Sequence, residues 1–176
     1  MNTSRSQKMA KEFLAKGRPF KRQVQITKQV FEASPAEVFE QLCPTREKDW
    51  IDGWCAELIY TDTGYVEPYC IFTTPPDNIL GPGVWIFTRW QPNELVELVR
   101  IIENNVVVHI TISLMDNGNG TCTGIWDLKF TALNEQGNNM VAAIPDEDPL
   151  FTNIIAGLGY FLKTGELMRI VGNTNG

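Results

Sequence analysis

The chain has 176 residues, of which 43% are hydrophobic and 20% charged, the composition of an ordinary globular domain. A chain of that length buries roughly two-thirds of its unfolded surface, and no apolar run approaches the ~18 residues that a membrane span requires. The opening residues lack the apolar core of a secretion signal, so a cytoplasmic protein without a membrane span is expected.

The net charge of −6 hides an asymmetry. Residues 1–23 carry seven basic groups (Arg5, Lys8, Lys11, Lys16, Arg18, Lys21 and Arg22) against Glu12 alone, while the rest carries eight basic and twenty acidic groups. Only Phe13 and Phe20 accompany the arm for base stacking, and an acidic body repels phosphate, so no nucleic-acid partner is expected. The reading is a basic N-terminal extension over 1–23, one domain over 24–171, and a frayed tail over 172–176.

In chain order, Val24 to Glu32 predicts a strand. Ser34-Pro35-Ala36-Glu37 then opens a helix, with Ser34 as cap, Pro35 in the first turn and Glu37 completing a capping box. That helix buries Val38, Phe39 and Leu42, and Pro44 ends it or opens a further short turn through Trp50. Strands follow over about Trp54–Asp62, Tyr65–Thr74, Val84–Trp90, Glu94–Glu103, Val106–Met115 and Thr121–Leu133. Pro68 hints at an edge or a bulge, and residues 74–83, rich in proline and glycine, form a loop. Asp62-Thr63-Gly64 and Asp116 to Gly120 supply hairpin turns, so the sheet is antiparallel. After a polar break, a last helix from Asp148 to Arg169 carries Phe151, Ile154, Ile155, Leu158, Phe161 and Leu162 on one arc. The fold expected is α+β, a curved antiparallel sheet of about seven strands wrapped over this long C-terminal helix.

Alternation assigns the faces. Cys122, Gly124, Trp126, Leu128, Phe130 and Ala132 turn inward, as do Val106, Val108, Ile110, Ile112 and Leu114. His109, the one histidine, then faces out among hydroxyls, which removes the main candidate for a triad or a metal ligand. Cys43, Cys55, Cys70 and Cys122 show no metal-ligand spacing and read as reduced thiols packed like small apolar side chains; neither metal nor cofactor is expected. With Glu97 and Glu103 facing water, Val96, Leu98, Arg100 and Ile102 turn inward. An inward Arg100 needs a partner, either an ion pair, water at the rim, or a ligand. Trp54, Ala56, Leu58 and Tyr60 face in if Glu57 faces out, and Cys70 and Phe72 face in if Glu67 faces out. Strand Val84–Trp90 is apolar on both faces; an exposed Arg89 sends Ile86 and Trp90 inward. Gly165 shares the helix arc of Leu158 and Leu162, where a missing side chain leaves room for a ligand, allows close helix–sheet approach, or ends the helix.

The element order resembles the helix-grip fold of the START-like (SRPBCC) superfamily. The resemblance is carried by Ser34-Pro35-Ala36-Glu37-Val38-Phe39, by the stretch from Cys43 to Trp54, by Val84-Trp85, by Thr131-Ala132-Leu133-Asn134-Glu135 with Gly137-Asn138, and by Leu162-Lys163-Thr164-Gly165-Glu166. It covers roughly Val24 to Glu166 and implies a deep apolar cavity between sheet and helix. Its members include lipid and hormone binders, polyketide cyclases and aromatases, and modules resembling activators of an Hsp-type chaperone ATPase. Relatives often show a small residue where this chain has Tyr69. The resemblance brings no catalytic residues with it.

Binding of a small apolar molecule is therefore expected, with Tyr60, Phe72, Trp90, Arg100, Trp126, Phe130, Leu158, Phe161 and Gly165 as the ligand-binding set. The alternatives are a cyclase- or hydrolase-type enzyme acting on an apolar carbonyl compound, and a protein-interaction module. For the enzyme, Arg100 would steady an enolate, Tyr60 would donate a proton, and Glu67 is a further acid. Nothing in the sequence sets an oligomeric state.

Overall fold

The computed structural model describes residues 5–15, 17 and 20–169. Lys16 and Arg18 of the basic arm, the side chain of Phe13 and the 170–176 tail lie outside the described residues. The elements are α1 (Arg5–Ala15), β1 (Arg22–Phe31), α2 (Pro35–Glu40), α3 (Pro44–Glu47), β2 (Glu57–Tyr60), β3 (Ile71–Thr74), β4 (Gly83–Gln91), β5 (Leu95–Ile102), β6 (Val106–Asp116), β7 (Cys122–Ala132), α4 (Glu135–Ala143) and α5 (Pro149–Thr164). The seven strands form one antiparallel sheet in the order β1-β7-β6-β5-β4-β3-β2.

Period-two patterning holds across the sheet centre. On β6, Val106, Val108, Ile110, Ile112 and Leu114 are buried; on β7, so are Cys122, Trp126, Leu128 and Ala132, with Phe130 half-buried. His109 lies on the other face, in register with Val99 and Lys129. On β4 a register shift between Phe87 and Arg89 changes the parity within the strand. Trp85 and Phe87 face the core, Ile86 does not turn into it, and Trp90 recovers the inward side beyond the bulge, 4.4 Å from the ring of Phe39.

The short helices form where their caps direct. The Ser34 hydroxyl accepts from Glu37 N while Ser34 N donates to the Glu37 carboxylate at 2.8 Å, a complete capping box. Pro44 opens α3 rather than merely ending α2. Asp148 starts α5 by accepting from Leu150 N and Phe151 N at 2.9 and 3.3 Å. The buried residues Ile154, Ile155 and Leu158 each contribute roughly 1.5–3 kcal/mol through removal from water. Gly157 sits where a Cβ would meet Trp50 O at 3.3 Å, so the small residue lets α5 lie close to the segment after α3.

Four differences from the sequence expectation have physical causes. The sheet's outer strands are short: β2 spans four residues and β3 four, because the chain between them is a loop built on Glu67. The Glu67 carboxylate accepts from Thr61 Oγ1, Asp62 N and Thr63 N at 2.7, 2.5 and 3.0 Å, which holds its pKa below the ordinary carboxylate range. In the same loop Tyr69 has φ 73°, the left-handed region where a side chain is disfavoured, which gives the physical reason for a small residue there. The polar break contains α4, capped by Asn134, whose side chain accepts from Gly137 N at 2.8 Å. Helix α5 stops at Thr164, since Gly165 at φ 73° closes it by donating from N to Phe161 O at 2.7 Å. Cys70 and Cys122 are buried and Cys43 half-buried, but Cys55 is exposed, because it lies in the irregular segment before β2.

Candidate functional site: a cavity beneath the C-terminal helix

Between the inner sheet face and α5 lies a cavity of about 230 Å³. It exceeds the ~150 Å³ apolar cavity that accepts benzene, so one small bicyclic molecule fits. Phe72, Phe87, Val108, Ile110, Trp126 and Leu128 form its sheet wall, Leu150, Phe151, Ile154 and Ile155 its helix wall. Trp50, Ile51 and Trp54, from the segment after α3, close one side. Four of the five tryptophans thus line one space.

These aromatics are fixed by their own contacts. Phe72 stacks on Trp85 at 5.4 Å and 10°, and Trp126 meets Phe31 edge-on at 5.9 Å. Three of the four indole N–H groups are spent on the protein: Trp50 Nε1 donates to Gln41 O at 3.0 Å, Trp54 Nε1 to Pro44 O at 2.8 Å, and Trp85 Nε1 to Thr74 Oγ1 at 3.0 Å. Their apolar faces remain for the cavity.

Four polar residues reach the same wall: Gln25, Glu47, Arg100 and Asp148. Gln25 is committed to Pro145 O at 2.6 Å, and Asp148 to its helix N-terminus. Arg100, 8% exposed, lies over the ring of Trp85 at 4.7 Å and donates from Nη2 to the carbonyls of Leu80, Gly81 and Pro82. Burial lowers its pKa to about 10, so the guanidinium stays charged at neutral pH. Burial likewise raises the Glu47 carboxyl to about 8, which leaves it protonated there. Glu47 is half-buried and lines the cavity.

Of the nine residues taken from the sequence, Phe72, Arg100, Trp126 and Phe130 line the cavity. Leu158 is fully buried and Phe161 packs on the core, but neither reaches the cavity wall. Trp90 is spent on Phe39 and Phe87, on the far side of the β4 bulge. Tyr60 is 54% exposed and bonds Asp62 at 2.6 Å, because β2 is the edge strand and shifts register between Leu58 and Tyr60. Gly165 is an exposed helix terminator. Sequence reasoning missed Glu47, although Trp50, Ile51 and Trp54 stand three, four and seven positions after it, the spacing of one helical face.

Among the described residues no group of three or more His, Cys, Asp or Glu side chains is placed to hold a metal, and no helix is long and apolar enough to cross a membrane. No family model matches the sequence, and no curated protein does. Solved structures do match in shape. Norcoclaurine synthase from Thalictrum flavum, in complex with dopamine and hydroxybenzaldehyde, is 16% identical with TM-score 0.60, covering 82% of this chain and 89% of that one. Ara h 8.0201 is 11% identical with TM-score 0.61, over 82% and 99% of the two chains. CalU16 from Micromonospora echinospora is 14% identical with TM-score 0.52, over 84% and 88%. With a seven-stranded antiparallel sheet gripping a C-terminal helix and these neighbours in shape, the chain has the helix-grip fold.

Proposed function

We propose that the protein binds a small, mainly apolar molecule in the cavity beneath α5. The observation that carries the reading is a volume of about 230 Å³ beneath α5 with four tryptophans on its wall. Apolar wall left facing water costs about 25 cal/mol per Å², which a bound apolar molecule recovers. A similarly folded protein, norcoclaurine synthase, is seen with two small aromatic molecules, dopamine and hydroxybenzaldehyde. Titration with naphthalene-sized probes, followed by tryptophan fluorescence, tests the reading. Saturable quenching or enhancement at one site supports it; unchanged emission with every such probe refutes it.

A second reading, an enzyme acting on an apolar carbonyl compound, is favoured by Glu47. A carboxyl with a pKa of about 8 on an apolar wall can hand a proton to a carbonyl oxygen and take it back. Tyr60 and Glu67 have no part in it: one is on the outer edge and the other ties a loop. Turnover of an aromatic aldehyde or ketone that disappears in Glu47→Gln would select this reading over simple binding.

A further inference from the structure

Resting on the binding reading, we propose that Arg100 anchors a single anionic oxygen, so that the preferred occupant is a small apolar monocarboxylate. A guanidinium offers five N–H groups. Both on Nη2 serve the carbonyls of Leu80, Gly81 and Pro82 at 2.5, 3.2 and 3.1 Å. Nε is buried without an acceptor and pressed against Gly83, where an added Cβ would stand 2.8 Å away. Nη1 meets no acceptor among the described residues, and Arg100 lines the cavity.

The charge has no counterion either. Ion pairs among the described residues engage Lys8, Arg46, Lys129, Lys163 and Arg169, not Arg100. The other acids on the cavity wall leave it unneutralised. Glu47 is protonated at neutral pH, and Asp148 caps α5. A buried cation without a counterion is costly, and an anion supplied by the ligand offsets that cost. The site is also held in place. Trp85 Nε1 donates to Thr74 Oγ1, Thr74 Oγ1 donates to Gly81 O at 2.8 Å, and the Trp85 ring lies under the guanidinium. Because one terminal nitrogen is left, contact is end-on to one oxygen. That suits a carboxylate; phosphate needs several donors at once.

The test is calorimetry at pH 7 with 2-naphthoate, its neutral isostere 2-naphthamide, and 2-naphthyl phosphate, on wild type and on Arg100→Met. Naphthoate is expected to bind at least about ten-fold tighter than naphthamide, a difference of about 1.4 kcal/mol. In R100M the preference for naphthoate over naphthamide disappears. Equal affinities for naphthoate and naphthamide in wild type, a preference that survives R100M, or phosphate binding as tight as carboxylate overturns the anchor but leaves the cavity reading intact. Binding of none of the three overturns the cavity reading, and the anchor with it. The wild-type comparison stays decisive even if R100M fails to fold.

Discussion

Strands β7 and β2 draw on similar apolar and aromatic residues and put them to opposite ends. On β7, Trp126 and Leu128 are 3% and 5% exposed, flanked by β1 and β6 and covered by α5. On β2, Leu58, Ile59 and Tyr60 are 44%, 55% and 54% exposed, since the strand pairs with β3 alone at the edge of the sheet. Apolar content does not build a binding wall by itself. A wall needs strand neighbours on both sides to fix the side chain's direction and a second layer to exclude water.

The comparison breaks most visibly if a wall residue can be removed without loss. Phe72→Ala takes away a side chain that is 2% exposed and stacked on Trp85, and is expected to cost about 3–5 kcal/mol in urea denaturation. A loss under about 1 kcal/mol would place Phe72 outside the packed wall. Gly124→Ala comes next. Its new Cβ would lie 2.6 Å from Trp126 and 2.9 Å from Phe31, so the indole must move and about 1–3 kcal/mol is lost. Weaker binding of a naphthalene probe is expected to accompany it, because Trp126 is cavity wall.

A pH series sharpens the comparison at Glu47. Its folded pKa of about 8 lies above the ordinary 4.5, so between those values the unfolded chain ionises while the folded carboxyl keeps its proton. The folded state then binds more protons than the unfolded one, and stability falls as pH rises across that window, levelling off above it. Glu47→Gln removes this slope, so its stability relative to wild type should rise from pH 4.5 to 8. Parallel pH profiles for the two proteins would show that Glu47 is solvated. Naphthoate binding should weaken above about 8, where the cavity wall gains a negative charge at Glu47. The smallest effect belongs to the edge: Tyr60→Phe removes the bond to Asp62 on an exposed strand and is expected to leave both probe affinity and denaturation midpoint unchanged. A change in affinity there would extend the site to β2.

The same contrast explains what could be read from the residues. The inward sets of β6 and β7 and the outward His109 follow from alternation, because one covered face makes a one-residue slip costly. Arg100 was legible for the same reason, with Val96 and Leu98 buried at its parity. Trp85 and Phe87 were not, since an apolar strand with a bulge carries no single parity. Nor was α4, whose apolar stripe is short (Met140, Val141 and Ile144) and whose close seating rests on Gly137 and Asn138: a Cβ at Gly137 would stand 2.0 Å from Asn105 O, and Asn138 Oδ1 accepts from Lys21 N at 2.7 Å. Leu158 and Phe161 share the helix arc with Ile154 and Ile155, but only the first turns of α5 border this cavity. Helical periodicity identifies a buried face; which turn of that face meets a void depends on the facing side chains.

The central claim is that free volume beneath α5 admits an apolar guest. Crystals soaked with 1-bromonaphthalene test it most directly through the anomalous signal of bromine. One ordered bromine between Trp126 and the Phe151–Ile155 wall is the expected result. Crystals of ligand-free protein in which those side chains close the space, and soaked crystals with no bromine there, would contradict it.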